Sequence, residues 1–395
     1  MYEIDQERFS ADDPRFAAAL ACAYVLRTRP LCCCRQPGVE MYIAKVGDGH
    51  VVKRMPNTGE RHSARCASYD PPVSLSGLGE LLGGAIQTSV MDGLTSLKFA
   101  FAMSRRGQQT NAGTGEGKSF GSKPSVTKLT LRSTLHYLLD QAGLTRWSPA
   151  MEGKRNWSVV RKHLLLAAEG KVVRSVPLAK KLFIPESFSV EYKEQIAQRR
   201  QRVFSGLTFA ERDAQPLMLL VGEIKELGTA KLGRNLRVKH MPDTPFFVGE
   251  DLYKRVLRRH AAELSLWNAI DNSHLMVAAT FGVSRQGTPT IEEIALMVLD
   301  ERWLALESVE EKILIDALTL QKRHFFKTLR FNMDASAALP SAVLVDGADP
   351  VALYIVPSWA TEQLRIAVAE HAGSMPSWQW DTTVEIPEFP KARDT

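Results

Sequence analysis

Two pairs of metal-ligand side chains lie close together in the N-terminal part of the sequence. The first pair is Cys32 and Cys34, and after 27 further residues it is followed by His62 and Cys66. Structural zinc takes four thiolate or imidazole ligands in a tetrahedron, usually as two close pairs on separate turns. We therefore predict a structural zinc ion bound by these four residues. His50 is the alternative fourth ligand, and it ranks second because it falls inside a predicted strand.

Two alternatives to a zinc site are unligated, buried cysteines beside a surface histidine and a cluster of redox-active thiols. Cys33 lies between two predicted ligands, and an extended chain directs its side chain to the opposite side. The sequence contains five cysteines, three of them adjacent, and this odd count is not typical of a disulfide scaffold. We therefore expect a reducing compartment, the cytoplasm.

A second candidate site combines a carboxylate and a lysine at the end of an apolar strand. Glu223 and Lys225 are two residues apart, so an ideal strand presents both side chains on one face. In nucleases of the PD-(D/E)xK superfamily, carboxylates hold Mg²⁺ and such a lysine helps to position the attacking water. An aspartate on a neighbouring strand is also required. Asp346 follows another apolar strand, but the strand after it contains neither acid nor lysine. The alternative is a solvated strand edge without catalytic function.

Basic side chains are concentrated on predicted helices. Nucleic-acid-binding proteins contact phosphates with such faces, although solvated helix faces also carry similar clusters. We predict nucleic acid, DNA first, as the partner of the middle segment, because basic residues coincide there with short helices arranged as in a winged-helix module. The predicted phosphate-binding residues are Lys154, Arg155, Arg161, Lys162, Lys180 and Lys181. Further basic groups are Arg199, Arg200 and Arg202, and Lys254, Arg255, Arg258 and Arg259.

Residues 105–125 are predicted to be a flexible linker, because they are rich in Gly, Ser, Thr, Gln, Asn and Lys. Residues 112–119, Ala-Gly-Thr-Gly-Glu-Gly-Lys-Ser, resemble a phosphate-binding loop with alanine in place of the first glycine. A working phosphate loop joins a buried strand directly to a helix. Polar residues separate this stretch from the nearest predicted strand, so we interpret it as part of the linker.

The elements that position these candidates suggest three domains. We predict an N-terminal zinc-binding module over 1–104, a small helical, winged-helix-like module over 126–205, and a mixed α/β domain over 206–395. The two predicted zinc-ligand pairs flank a β-hairpin with strands at 41–45 and 50–54.

The C-terminal domain is predicted to alternate strands with helices. Its apolar periodicity predicts long helices over 251–270 and 309–330, and antiparallel pairing of 342–345 with 351–356. The predicted fold class is therefore α+β and multidomain, with a C-terminal domain that resembles a degenerate PD-(D/E)xK nuclease fold.

The composition excludes several classes of protein. With 395 residues, 45% hydrophobic and 24% charged, the chain is neither wholly disordered nor collagen-like. The net charge of +6 permits a nucleic-acid partner without requiring one. The longest apolar run, 16–26, has 11 residues, whereas a membrane span needs about 20, so no membrane partner is expected.

Short motifs that carry a family resemblance are spread along nearly the whole sequence, at residues 29–34, 41–44, 52–56, 62–69, 75–79, 146–150, 219–226, 239–242, 327–332 and 352–357. Through these motifs the sequence resembles an uncharacterised protein family of about 400 residues that occurs on integrative and conjugative elements of proteobacteria. The resemblance implies a bacterial cytosolic protein of mobile-element cargo or transfer machinery, and it implies no specific activity.

These observations predict a zinc-containing, nucleic-acid-associated accessory protein of a bacterial mobile element, without catalytic activity. One alternative is a Mg²⁺-dependent nuclease that uses Glu223 and Lys225, with Asp346 as a further candidate. The other alternative is a protein–protein component of a transfer or defence complex.

Overall fold

The computed structural model describes residues 1–46, 49–56, 58–89, 93–106, 128–208, 214–229, 233–334, 336–373 and 375–393. These residues form a mixed α+β structure, as the sequence predicts. The predicted phosphate-loop-like stretch at 112–119 lies outside the described residues, and so does most of the predicted linker.

The described residues contain the following helices and strands. The helices are α1 (Phe16–Leu26), α2 (Leu131–Gln141), α3 (Trp157–Ala168), α4 (Lys193–Ser205), α5 (Glu250–Arg259), α6 (Ala261–Ala269), α7 (Val309–Leu320) and α8 (Glu362–Ala372). The strands are β1 (Tyr2–Ile4), β2 (Glu7–Phe9), β3 (Leu31–Cys32), β4 (Val39–Val46), β5 (Gly49–Arg54), β6 (Ile86–Thr88), β7 (Thr95–Leu97), β8 (Ser104–Arg106), β9 (Arg146–Trp147), β10 (Lys171–Val173), β11 (Val176–Pro177), β12 (Leu182–Phe183), β13 (Ala214–Pro216), β14 (Met218–Thr229), β15 (Arg234–Val238), β16 (Phe246–Val248), β17 (His274–Val283), β18 (Pro289–Leu299), β19 (Ala305–Leu306), β20 (Phe325–Lys327), β21 (Ala342–Leu344), β22 (Val351–Val356) and β23 (Ser377–Asp381).

Side-chain caps explain where several helices begin. The Asn156 side chain accepts a hydrogen bond from the Val159 amide at 3.1 Å, and Thr130 accepts one from Ser133 at 3.1 Å. A cap of this kind satisfies one of the backbone N–H groups that the first helical turn leaves unpaired. These caps mark the first turns of α2 and α3, two of the short helices that the sequence predicts in the middle segment.

Two long helices predicted in the C-terminal part are wrong in extent. The predicted helix over 251–270 is divided into α5 and α6, because His260 leaves the helical region with φ −111° and ψ 28°. The predicted helix over 309–330 ends at Leu320, and Lys322 adopts a left-handed conformation with φ 55°. The following residues form β20, which pairs with β9 and β21. Strand pairing therefore prevails over the helical spacing of the apolar residues.

The centre of the fold is a seven-stranded sheet in which five strands close into a ring. Strand β14 pairs with β15 and β17, β15 pairs with β16, and β16 and β17 both pair with β18. One face of the ring strands forms a core that contains Leu220, Ile224 and Phe281. The other face buries Leu219 and Val221 in a second core shared with α2 and α3. Burial of both faces explains why these strands are continuously apolar.

Four of the five sheets pair strands across the domain boundaries that the sequence predicts. Strand β7 pairs with β10, β12 with β14, β8 with β13, and β9 with β20. Residues 104–106 reach into the predicted linker, yet they form β8. The segments 1–104, 126–205 and 206–395 thus share sheets, and the three-domain division remains a prediction from composition.

The N-terminal sheet has the strand order β2-β1-β3-β4-β5 and is antiparallel throughout. The predicted hairpin is confirmed as β4 and β5, in which Tyr42 pairs with Lys53. A small apolar core of Ile4, Phe9, Leu20 and Ala23 joins α1 to this sheet. Among the described helices, none has both the length and the apolar composition of a membrane span.

Candidate metal centre

Four side chains place their ligand atoms within 4.8 Å of one another: Cys32, Cys34, His62 and Cys66. Cys32 Sγ lies 3.6 Å from Cys66 Sγ, and His62 Nδ1 lies 3.4 Å from Cys34 Sγ and 3.8 Å from Cys66 Sγ. A tetrahedral zinc ion with bonds of about 2.3 Å to sulfur and about 2.0 Å to nitrogen holds its ligand atoms about 3.5–3.8 Å apart. The measured distances match the edges of such a tetrahedron, so the cluster can hold a metal ion.

Strand pairing and tight turns bring the two ligand pairs together. Cys32 lies on β3, where its backbone is fixed between Tyr2 of β1 and Val39 of β4. His62 follows the 3-10 helix Gly59–Arg61. The Cys66 amide then donates a hydrogen bond to the Ser63 carbonyl at 2.7 Å, which closes a turn between the histidine and the last cysteine.

Backbone amides support two of the sulfur atoms. The Ser63 N–H donates to Cys34 Sγ at 3.4 Å, and the Ser68 N–H donates to Cys66 Sγ at 3.4 Å. N–H donors of this kind stabilise thiolates and orient metal ligands. These contacts favour a metal site over a chance group of cysteines.

Because the cluster is buried, the charged forms of its thiols and its imidazole are unfavourable unless a cation is bound. Burial raises the pKa of the Cys32 thiol to about 12. Burial also lowers the pKa of His62, and the positive charge of the nearby Arg54 lowers it further. The histidine is therefore neutral at pH 7, which is the form that binds metals. Its Nε2 atom is buried and forms no hydrogen bond with any described residue, while Nδ1 faces the sulfur atoms. A cation would compensate the thiolate charges inside this low-dielectric site.

The residues that the sequence analysis leaves out of the cluster also lie outside it in the structure. The Cys33 thiol points to the Leu31 carbonyl at 3.9 Å, and Cys22 is exposed. His50, the alternative fourth ligand, stacks on Tyr24 with ring centroids 4.5 Å apart. Cys33 and Cys22 therefore provide control positions next to and away from the cluster.

Arg146 ties the segment after Cys66 to the rest of the protein. Its guanidinium donates to the carbonyls of Ala67 and Tyr69 at 2.6 and 2.5 Å, and it pairs with Asp70 at 2.7 Å. The same group lies over the Phe326 ring, 4.8 Å from its centroid. Sequence spacing gave no signal of this contact, since Arg146 is 80 residues away from Cys66.

The predicted pair of Glu223 and Lys225 is not brought together. A β-bulge between Ile224 and Glu226 leaves Lys225 as the additional, exposed residue of the strand. Glu223 is buried and instead contacts Lys239 Nζ at 2.5 Å and His274 Nδ1 at 2.7 Å.

These contacts determine the charge of the Glu223 carboxyl. Burial raises its pKa, but the hydrogen bonds from His274 and Lys239 outweigh burial and hold the pKa below its usual range. The bulge shifts the register by one residue and cannot be seen in the alternation of side chains. The sequence therefore gives no local sign that Lys239 and His274 are the partners of Glu223.

Asp346 lies in the turn between β21 and β22, away from the strand of Glu223, and has its own partners. Its carboxylate accepts two hydrogen bonds from the Arg323 guanidinium, at 2.9 and 2.8 Å, and one from the His324 amide at 2.8 Å. Burial raises the pKa of this carboxyl, but these hydrogen bonds lower it by more. Within the described ranges, no second group of three or more His, Cys, Asp or Glu side chains is arranged to hold a metal ion.

The predicted phosphate-binding residues divide into exposed and internally bonded groups. Lys154, Lys162 and Lys180 are exposed, and Lys181 is partly buried. Arg155 donates to the main-chain carbonyls of Leu144 and Arg302 at 3.0 and 3.3 Å.

Arg155 and Arg161 donate hydrogen bonds to main-chain carbonyls within the protein. Arg155 also donates to the carbonyl of Arg146, and burial lowers its pKa to about 10. Arg161 donates to the carbonyl of Ile184 at 3.1 Å. The structure thus leaves the lysines, and not these two arginines, available to a phosphate.

Comparison with known proteins gives one match. A family model described as "Protein of unknown function (DUF1173)" matches residues 2–383. No curated protein matches the chain. No solved structure matches it either, so the winged-helix and nuclease resemblances remain predictions.

Proposed function

The chain belongs to the DUF1173 family, for which no function is described, and from its site geometry we propose that it is a zinc-containing, nucleic-acid-binding accessory protein without catalytic activity. The ligand cluster carries the zinc part of this proposal, and an exposed basic helix supports the nucleic-acid part. The resemblance inferred from the sequence motifs, to a family carried on mobile elements, supports the proposal of a role on such an element.

Zinc fits the donor set better than other biological cations. Three sulfur atoms and one imidazole are soft to borderline ligands, whereas magnesium and calcium take oxygen ligands. Four protein ligands fill a tetrahedral zinc ion and leave no open position for water or substrate. Because the four ligands come from two segments separated by the β4–β5 hairpin, the ion would cross-link these segments. This supports a structural role for the metal.

Elemental analysis of the purified protein tests the metal directly. We expect about one equivalent of zinc, as a closed four-ligand site requires. Cys34→Ser is expected to lose most of it, because the variant removes the sulfur that contacts His62 and the Ser63 amide. Cys33→Ser is the matched control and is expected to retain the metal. Zinc below about half an equivalent, or an equal loss in both variants, would contradict a site with these ligands.

Helix α5 presents an exposed basic face. Arg255, Arg258 and Arg259 are exposed and form no ion pair with any described residue, and Lys254 reaches only Glu250 at 4.0 Å. Residues at these spacings lie along one side of a helix. Unpaired arginines are suited to phosphate contacts, because each guanidinium offers several N–H donors in a fixed plane. This face, rather than Arg155 and Arg161, supports the proposal of nucleic-acid binding.

Replacing Arg255, Arg258 and Arg259 together with glutamine is expected to weaken binding to duplex DNA and to reduce its salt dependence. Each lost phosphate contact lowers the slope of log K against log salt by about 0.9. Fluorescence anisotropy over a series of salt concentrations measures both quantities. The matched control replaces three exposed N-terminal arginines, Arg8, Arg29 and Arg61, and changes the net charge equally.

Three outcomes would overturn the nucleic-acid part of the proposal. They are no binding at micromolar protein, binding that salt does not affect, and an equal loss in the control variant. Plasmid cleavage with Mg²⁺ or Mn²⁺ that disappears in Glu223→Ala would overturn the non-catalytic part. A stoichiometric protein partner purified without nucleic acid would favour a component of a protein complex.

A further inference from the structure

A cavity of about 500 Å³ lies between the β4–β5 hairpin and the helical part of the protein. Its lining includes Tyr42 and Lys53 of the hairpin, Tyr137 and Asp140 of α2, and Lys171 of β10. Small-molecule sites usually have volumes of about 300–1,000 Å³ and combine apolar walls with a few polar groups. The cavity therefore has the size of a ligand site, with a lining that mixes polar and apolar groups.

Lys171 is the most unusual residue of the lining. It is 7% exposed, and its ammonium forms no hydrogen bond or ion pair with any described residue. Its Nζ atom lies over the ring of Tyr137, 5.5 Å from the ring centroid. An ammonium at a cavity wall that is otherwise buried loses most of its hydration, so an acceptor bound in the cavity would stabilise it. The fold therefore holds a cation at the cavity wall without a partner of its own.

Lys53 brings a second unpaired ammonium to the same cavity. It is partly buried, and none of the described carboxylates forms an ion pair with it. Burial lowers the pKa of both lysines, and the charge of Lys53 lowers that of Lys171 further, to about 8. Glu169 and Asp140 act on these lysines through space but form no ion pair with them. An anion between the two ammonium groups would provide the missing acceptors.

The arginine that lines the cavity already has hydrogen-bond and ion-pair partners within the protein. Arg54 also lines the cavity, but it pairs with Asp70 and donates to the Ser68 carbonyl at 3.0 Å. Among the described lining residues, Lys53 and Lys171 are thus the lysines without an ion pair, and ammonium groups are common phosphate ligands that act as point charges. The hydroxyls of Thr88 and Thr95, 3.1 Å apart, line the same cavity and add hydrogen-bonding groups.

We propose that this cavity binds a small molecule with a phosphate group, whose oxygens accept hydrogen bonds from Lys171 and Lys53. The cavity is much larger than one phosphate ion, so the rest of the ligand contacts the aromatic rings of Tyr42 and Phe326. None of the four metal ligands lines this cavity, although Ala67 and Ser68 beside Cys66 do, and the basic face of α5 does not reach it. The proposed ligand differs from the metal and the nucleic acid proposed above.

Isothermal titration of the full-length, zinc-loaded protein tests the site with inorganic phosphate, ribose 5-phosphate and AMP as probes, and citrate as a carboxylate control. We expect saturable binding of at least one organic phosphate. Lys171→Met and Lys53→Met are each expected to weaken it by about tenfold or more, as the loss of a charged hydrogen bond does. Lys98→Met, at an exposed lysine outside the cavity, is expected to bind like the unchanged protein.

Thermal unfolding separates lost binding from lost folding. Lys171→Met removes an unpaired buried charge, so its Tm is expected to be equal to or higher than that of the unchanged protein. Each phosphate probe that binds is also expected to raise the Tm of the unchanged protein by mass action. Failure of all three phosphate probes to bind, equal binding by Lys171→Met, or citrate binding at least as tight as phosphate binding would overturn the proposal.

Discussion

Removal of the metal is expected to unfold the N-terminal sheet while the closed ring of strands stays folded. Strand β3 carries Cys32 and joins β1 to β4, so the cluster lies at the middle of this sheet. The apolar core that joins α1 to the sheet is small, with Ile4, Phe9 and Leu20 among its few members. Small modules often require a metal, and structural zinc contributes about 10–16 kcal/mol in zinc-finger peptides at pH 7.

Hydrogen exchange with and without a chelator measures this effect. The amides of β3 and β4 are expected to lose protection when the metal is removed, and those of β14 and β17 are expected to keep it. The same loss is expected in Cys66→Ser without chelator, whereas Cys33→Ser remains protected because its thiol lies outside the cluster. Unchanged protection of β3 after complete loss of metal would show that the cluster is not needed for the fold.

Lys327→Met is expected to lower the free energy of unfolding by about 3–5 kcal/mol, the usual effect of removing one partner of a buried ion pair. The Lys327 ammonium is buried and lies 2.9 Å from Glu311 Oε1 and 2.9 Å from the Thr328 carbonyl. The side chains of Lys327 and Glu311 are only 3% and 9% exposed. The variant therefore leaves a buried carboxylate without its cation and a carbonyl without its donor.

A second substitution tests whether the loss comes from the uncompensated charge. Glu311→Gln in the Lys327→Met background is expected to recover much of the stability, because the buried negative charge is removed as well. Glutamine keeps an acceptor for the Glu307 amide, which donates to Glu311 Oε2 at 2.8 Å. Urea unfolding of the zinc-loaded protein measures each variant. Additive losses in the double variant would refute the explanation.

The exposed pair of Arg15 and Glu7 supplies the control for this comparison. The two side chains are 65% and 56% exposed, so water screens their attraction. Arg15→Met is expected to change the free energy of unfolding by less than about 1 kcal/mol. A similar effect at both pairs would mean that burial does not determine the contribution of Lys327.

The metal cluster was predictable from sequence because few residue types bind zinc. Two close pairs of cysteine and histidine limited the number of candidate metal ligands. The predicted β4–β5 hairpin explained how the two pairs could come close together in space. The choice of His62 over His50 followed from the strand position of His50, which in the structure stacks on Tyr24 instead. The contacts of the surrounding loop, such as that of Arg146 with Asp70, join residues distant in sequence and leave no local pattern.

The candidate nuclease pair of Glu223 and Lys225 shows that local sequence patterns do not reveal contacts between distant segments. An ideal strand places Glu223 and Lys225 on one face, but a single additional residue in the ladder separates them. The acid then finds Lys239, which directly follows the neighbouring strand β15, and His274 at the start of β17. Similarly, the sequence shows that Arg155 is basic but not that three main-chain carbonyls surround it. Partners in such contacts are determined by tertiary packing.

The sheets that join distant segments have a consequence for synthesis on the ribosome. Trp147 of β9 pairs with Phe325 of β20, which follows it by 178 residues. At translation rates of about 5–20 residues per second, β9 is made roughly ten seconds or more before its partner exists. During that interval the edge of β9 and the apolar side chains beside it are open to other chains and to chaperones. The last third of the chain, which carries β20, must therefore emerge before β9 joins its sheet.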